Sequence, residues 1–166
     1  MKLLWTKNMS VGIPQLDEDH KRLIRFVNEL EMAIDGSLYS GIVDAAEFEI
    51  TFHRMENYAR QHFAAEESLM QSLHFPGIEV HKTAHCGFLH KTDELKKQYS
   101  GSTSPRDAQK IVKFLCAWIT DHDYLMDSQY ADFLYEQKHP PVAAHLVSSQ
   151  SSTGYGGRVA TKSAPR

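Results

Sequence analysis

Four segments of the chain place apolar residues at the spacing of one face of an α-helix, and each of these faces also carries a histidine. Each segment is roughly 18 to 28 residues long, a normal to generous length for a helix in a globular domain. The connections between them are short, which favours antiparallel packing of neighbouring helices around one axis. The sequence therefore predicts an all-α fold, an up-down-up-down four-helix bundle, and shows no strand-like alternation.

Local signals indicate where these helices begin and end. Asp44 precedes Glu47 by three residues, as in a capping box, and Ser104 precedes Pro105 as an N-cap before a first-turn proline. Glycine at Asp35-Gly36 is expected to end helix one. The expected helices span residues 17–35, 44–72, 78–98 and 104–122.

The two ends of the chain lack the helical pattern. Residues 1–16 contain Gly12 and Pro14, so we expect an irregular N-terminal arm, held down by Trp5. Residues 140–166 are rich in Ser and Gly and nearly devoid of large apolar side chains, which predicts a disordered tail. The remaining residues, 1–139, are expected to form one helical domain.

Composition narrows the range of partners. The formal net charge is −3 and the isoelectric point is near 6.3, without a basic run, so neither nucleic acid nor a membrane surface is expected as a partner. No export signal or transmembrane run is recognisable, which favours a cytoplasmic protein, and we expect a monomer. Cys86 and Cys116 are interpreted as packing residues.

Seven polar residues fall on the apolar faces or just beyond them. In a bundle all seven would point at one axis, where an unpaired polar or charged group costs several kcal/mol. Metal coordination removes that cost. The seven are His20, His62, Glu66, His81, His85, His122 and Asp127.

Five imidazoles and two carboxylates exceed what one ion can bind, so two ions bridged by the carboxylates are the simplest solution. His81 and His85 are one turn apart and can bind the same ion, and His20 and His62 are left for the other. With His122, the first ion would then have three histidines and the second two. With two octahedral ions and a shared oxo or hydroxo bridge, eleven of the twelve coordination positions are filled. One position stays open, on the ion with two histidines.

Single motifs in the chain also have other interpretations. Taken alone, His62 and Glu66 are most simply a solvated pair one turn apart. The sequence HKTAH has Lys82 where a zinc peptidase motif requires its glutamate, and one Glu136-x-x-His139 is too little for a ferritin-like site. The remaining histidines are expected at the surface or in loops; they are His53, His74, His90, His139 and His145.

The chain resembles the hemerythrin family, and within it the bacterial hemerythrins. The resemblance runs from about Trp5 to Leu134 and is carried by VGIPQLDEDH, HFAAEESLM, FPGIEVHKTAH and WITDHDYLMDSQY. It implies a non-haem di-iron centre with the seven residues as ligands, of which Glu66 and Asp127 bridge the irons. It is the resemblance that implies iron, since these ligand types also suit other divalent ions.

The resemblance further implies reversible binding of dioxygen, for oxygen storage, delivery or sensing, with an oxygen-consuming enzyme or a redox partner as a further partner. Two alternatives stay open: a di-iron enzyme such as a peroxidase or nitric oxide reductase, and a signalling module. The chain departs from the family's usual residues at Asp19, Phe75 and Asp123. Asp123 lies about 100° around an α-helix from His122, so we expect it to alter the polarity nearby without binding the metal.

Overall fold

The computed structural model describes residues 2–40, 45–99 and 104–139. Across these ranges it contains no strand, so the predicted all-α class is confirmed. A π-helical turn, Asp123–Asp127, joins the last two helices into one continuous rod. The helices are α1 (Pro14–Ser40), α2 (Ala45–Ser72), α3 (Ile78–Tyr99), α4 (Pro105–His122) and α5 (Ser128–Lys138).

Helix packing follows the predicted four-helix bundle. Helix α1 packs against α2 and α4, and α3 packs against the same two helices. Each helix therefore lies beside the one before and the one after it in the chain, with α1 and α4 closing the ring. The Asp44 start signal and the predicted disordered tail, residues 140–166, lie outside the described residues.

Both predicted ends of the first helix were wrong. The helix begins at Pro14 instead of Asp17, because a proline in the first turn has its φ preset and needs no hydrogen bond for its missing N–H. At the other end the backbone stays helical through Gly36 to Ser40. A single glycine lowers helix stability by about 1 kcal/mol but creates no clash, so it does not by itself stop a helix.

The N-terminal arm is tied to the first helix. It forms one short 3₁₀ turn, Lys7–Met9, and the Trp5 ring packs against the core under the ammonium of Lys21, 4.6 Å away. The Asn28 side chain bonds both backbone groups of Leu3, at 2.8 and 2.9 Å. These contacts hold the arm across the bundle surface and bring buried Met9 under α1.

Two loops behave as the sequence predicts. The segment 73–77 separates α2 from α3, and Phe75 within it is buried. A left-handed residue, His74 with φ of 54°, precedes Phe75, whose N–H donates to the Met70 carbonyl at 2.9 Å. At the start of α4, the Ser104 hydroxyl accepts from the Asp107 N–H at 3.2 Å, which makes it the expected N-cap.

A polar layer divides the core in two. The larger apolar cluster includes Leu23 of α1, Phe63 of α2, Phe88 of α3 and Ile119 of α4. The second, at the other end of the bundle, is made by Val11, Leu16, Met70, Phe75, Tyr130 and Leu134. On α1, α2, α3 and the continuous helix formed by α4 and α5, the buried histidines fall between residues of the larger cluster and residues of the second cluster. This layer is the candidate site.

Candidate metal centre

Three histidine side chains converge at one side of the polar layer. His81 and His85 lie one turn apart on α3, and His122 is the last residue of α4. The Nε2 atom of His122 lies 3.2 Å from that of His81 and 3.1 Å from that of His85, and all three rings are buried. Three ring nitrogens at this separation cannot satisfy one another with hydrogen bonds, because each neutral ring has one proton and one lone pair. A cation that accepts all three lone pairs removes the conflict.

Two fully buried carboxylates connect these histidines to a second pair. The Oε2 atom of Glu66 lies 3.4 Å from Nε2 of His81, 3.6 Å from Nε2 of His85 and 3.8 Å from Nε2 of His62. Glu66 therefore faces histidines from both groups.

Asp127 makes the same connection with separate oxygens. Its Oδ1 lies 3.3 Å from Nε2 of both His81 and His122, whereas its Oδ2 lies 3.5 Å from Nε2 of His20. The rings of His20 and His62 meet edge to face, with centroids 4.8 Å apart. The structure thus brings all seven predicted residues together, as a group of three histidines and a group of two with both carboxylates between them.

The π-helical turn explains how Asp127 reaches the site. In an α-helix, a residue five positions after His122 points about 140° away from it. A π-helical turn closes its hydrogen bonds between residues five apart, so His122 and Asp127 share a face. The spacing that looks irregular in the sequence is the spacing that this turn requires.

Carboxylates outside the layer lie beside two of the rings. Nδ1 of His85 donates to Oε1 of Glu67 at 2.8 Å, which leaves its Nε2 lone pair directed inward. Nδ1 of His62 faces Oδ2 of Asp19 at 3.7 Å, and Asp19 in turn accepts from the Tyr58 hydroxyl at 2.5 Å. The sequence does not single out Glu67, because its only signal, a second glutamate after Glu66, is common on exposed helix faces.

The electrostatics of the polar layer suit a cation. Burial, followed by the neighbouring His122 and His81, lowers the pKa of His85 to about 2, so this ring is neutral and its lone pair is available. Burial raises the pKa of Glu66, but the close approach of His81, whose Nε2 lies 3.4 Å from Oε2, and the charges of His62 and His20 outweigh that effect and lower the pKa to about 2. The site therefore combines a neutral candidate ligand, His85, with an ionised one, Glu66.

Several polar atoms in this layer are buried without a hydrogen-bond partner. They include both oxygens of Glu66 and of Asp127, both ring nitrogens of His20, and Nδ1 of His62. Each unsatisfied group costs about 1–3 kcal/mol, and more if it is charged. Imidazole and carboxylate ligands suit first-row transition metals. The residues present therefore fit a metal site, and nothing else in the described structure compensates for these atoms.

Aromatic rings enclose the group of three histidines. Phe63 stacks on His85, with ring centroids 3.8 Å apart, and Trp118 stacks on His122 at 4.2 Å. These rings pack the imidazoles against the larger apolar cluster and hold them in place.

Other sequence interpretations can also be compared with the structure. His74, His90 and His139 are exposed and His53 is partly buried near Lys96; none belongs to the cluster, and His145 lies outside the described residues. Cys86 is exposed, so its interpretation as a packing residue was wrong: it follows His85 on α3 and is turned about 100° away from the axis.

The comparison with protein families gives a clear result. Residues 11–134 match the model of the hemerythrin HHE cation binding domain, which is more than half of the chain and contains all seven clustered residues. The chain belongs to the hemerythrin family. Among its relatives, the bacteriohemerythrin of Pseudomonas aeruginosa strain LESB58 is 26% identical over 153 residues, which cover 92% of each chain.

Other members of this family are similarly distant. The bacteriohemerythrin of Stenotrophomonas maltophilia strain R551-3 is 28% identical over 159 residues, covering 94% of each chain. A hemerythrin-like protein of Naegleria gruberi is 25% identical over 130 residues, covering 78% of this chain and 92% of the relative. The family assignment and the cluster together give a hemerythrin-type metal site in a helical bundle. Among the described helices, none has the length and apolar character needed to span a bilayer.

Proposed function

We propose that the polar layer holds two iron ions and that the protein binds dioxygen reversibly. His81, His85 and His122 would hold one iron, and His20 and His62 the other. Glu66 and Asp127 would bridge them, together with an oxo or hydroxo group. The observation that carries this proposal is the unequal division of five histidines into three and two, with both carboxylates facing both groups.

An unequal division leaves one ion with fewer protein ligands than the other, which is the requirement for binding a small molecule at one ion. Iron would supply the electrons that dioxygen accepts on binding and returns on release. The chain's own contribution is to hold the ligands in a buried layer between two apolar clusters, where water is scarce. The name of several relatives, bacteriohemerythrin, supports the same proposal.

We place the protein in the cytoplasm, because the free thiols of Cys86 and Cys116 suit a reducing compartment. Oxygen storage, delivery or sensing would all use the same binding step. A di-iron enzyme is the second candidate function, and the observation that favours it is the acidic residue Asp123, buried beside the group of two histidines. An extra carboxylate there adds an acid or base that reversible binding does not need.

The test combines metal analysis with spectroscopy. Purified protein should contain about two irons per chain. After anaerobic reduction, addition of dioxygen should produce a visible absorption band that disappears when dioxygen is removed. Two irons with immediate and irreversible oxidation would favour the enzyme, and protein that binds no iron would refute both candidates.

A further inference from the structure

A third carboxylate lies beside the group of two histidines. Asp123 is 4% exposed, and its Oδ2 atom is buried without a hydrogen-bond partner. Its carboxylate forms a compact group with donor atoms of His20 and Asp127, all within 4.8 Å of one another. An unpaired buried carboxylate oxygen that faces metal-ligating side chains requires an explanation.

The backbone explains why Asp123 points inward. Residues four apart on a helix share a face, and the π-helical turn has already brought Asp127 to the centre of the bundle. Asp123, one turn before it, is carried inward with it. The sequence expectation placed Asp123 about 100° around an α-helix from His122, without contact to the metal. It assumed regular α-helical geometry after His122, and this geometry ends at that residue.

Distances and charge both favour an ion between these groups. Zinc binds nitrogen and oxygen ligands at about 2.0–2.2 Å, so two donors on one such ion lie up to about 4.3 Å apart. The donor atoms of His20, Asp123 and Asp127 all lie within 4.8 Å of one another, at most about 0.5 Å beyond this span, so a small side-chain shift brings all three to one ion. Two divalent ions also bring four positive charges, against two negative charges from Glu66 and Asp127 and one from a hydroxo bridge, and a third carboxylate balances the remaining charge in a buried site.

We propose that Asp123 is an eighth ligand, which binds the ion held by His20 and His62 and occupies the coordination position that the seven other residues leave open. This inference rests on the proposed di-iron function. It implies that an incoming small molecule has to displace Asp123, so binding is weaker than in a site with an apolar residue at this position.

The test uses three variants of the full chain. Asp123→Asn keeps the shape and removes the charged ligand, Asp123→Leu also removes hydrogen bonding, and Asp132→Asn changes an exposed aspartate on α5 as the matched control. Two readouts are measured: the dissociation constant of azide for the iron-loaded ferric protein, and the visible spectrum of the anaerobic Co²⁺-loaded protein. Cobalt absorption strengthens as its coordination number falls, so the second readout reports the number of ligands without any activity.

We expect both Asp123 variants to bind azide about tenfold more tightly or better, since ligand-sphere changes alter such sites by about 10- to 100-fold. We also expect stronger cobalt absorption in both, and no change in Asp132→Asn. Loss of metal from both Asp123 variants but not from the control would equally support a ligand role.

Two outcomes would overturn the proposal. Unchanged azide affinity and cobalt spectra, with about two metals per chain, would show that Asp123 is not a ligand while leaving the di-iron function intact. Azide binding that is unchanged in Asp123→Asn but weakened in Asp123→Leu would assign Asp123 the role of hydrogen-bond partner. Failure of the di-iron function itself is recognised separately, by the absence of iron from the unmodified protein.

Discussion

The hydrogen bond between Glu67 and His85 offers the sharpest test of how the bundle holds its metal. Replacing Glu67 by alanine removes the acceptor for Nδ1–H of His85, which is 2.8 Å away. The ring can then rotate or change tautomer, and either change misdirects the Nε2 lone pair. Loss of this kind of support typically lowers metal affinity by about 10- to 100-fold, or about 1.4–2.7 kcal/mol.

The structure places the expected effect at the lower end of that range. The Glu67 side chain is 26% exposed, so water can replace the lost acceptor, and Phe63 still stacks on the His85 ring at 3.8 Å. We therefore expect Glu67→Ala to weaken metal binding about tenfold. Glu67→Gln should lose less, because its amide oxygen still accepts the Nδ1 proton.

The assay is competition with a chelator, with the retained metal measured per chain. The matched control is Glu94→Ala, which removes the glutamate of an exposed pair with His90 on the surface of α3. Surface pairs of this kind contribute little, so metal retention should equal that of the unmodified protein. Equal retention in Glu67→Ala and the unmodified protein, or equal loss in Glu94→Ala, would refute the reasoning.

Three further predictions concern the metal layer. His62→Ala should lower metal content by about one ion per chain, whereas His53→Ala should leave it unchanged; elemental analysis that finds equal loss in both contradicts the assignment. Glu66→Gln should lower the content further than His62→Ala, because Glu66 faces both histidine groups, and a loss of only one ion would argue against a bridge. Metal in hundredfold excess over its dissociation constant should add about 2.7 kcal/mol to the free energy of unfolding, which raises the Tm by about 5–10 °C in calorimetry. A Tm that stays the same on metal removal would exclude a site in the core.

Much of the fold could be read from local patterns. Apolar residues at helical spacing are buried as that spacing predicts, for example Leu23, Phe52 and Ile111. Ser104 caps α4, as its side chain predicts. The predicted ends of α1 were wrong because the local sequence signals there are weak. Gly36 makes a helix less stable without blocking it, and Pro14 is as compatible with a first helical turn as with a loop.

In the candidate site too, the sequence predicts some residues and does not predict others. His20, His62 and Glu66 are recognisable because polar residues on an apolar face are costly unless something compensates them. Glu67 and Asp19 carry no such signal: each is an ordinary charged residue on a helix, and its role depends on which ring another helix places beside it.

By itself, the sequence determined the all-α class, the pairing of histidines with apolar faces and the residues that converge on the axis, because helical periodicity is a property of a single segment. Tertiary structure alone decided which histidine faces which carboxylate and which outer residues orient the rings. It also decided where Asp123 points, since that depends on a π-helical turn whose hydrogen bonds cannot be inferred from residue spacing. Side chains from α1, α2, α3 and the continuous helix formed by α4 and α5 meet in one layer. The distances between these side chains are set only when the helices pack together.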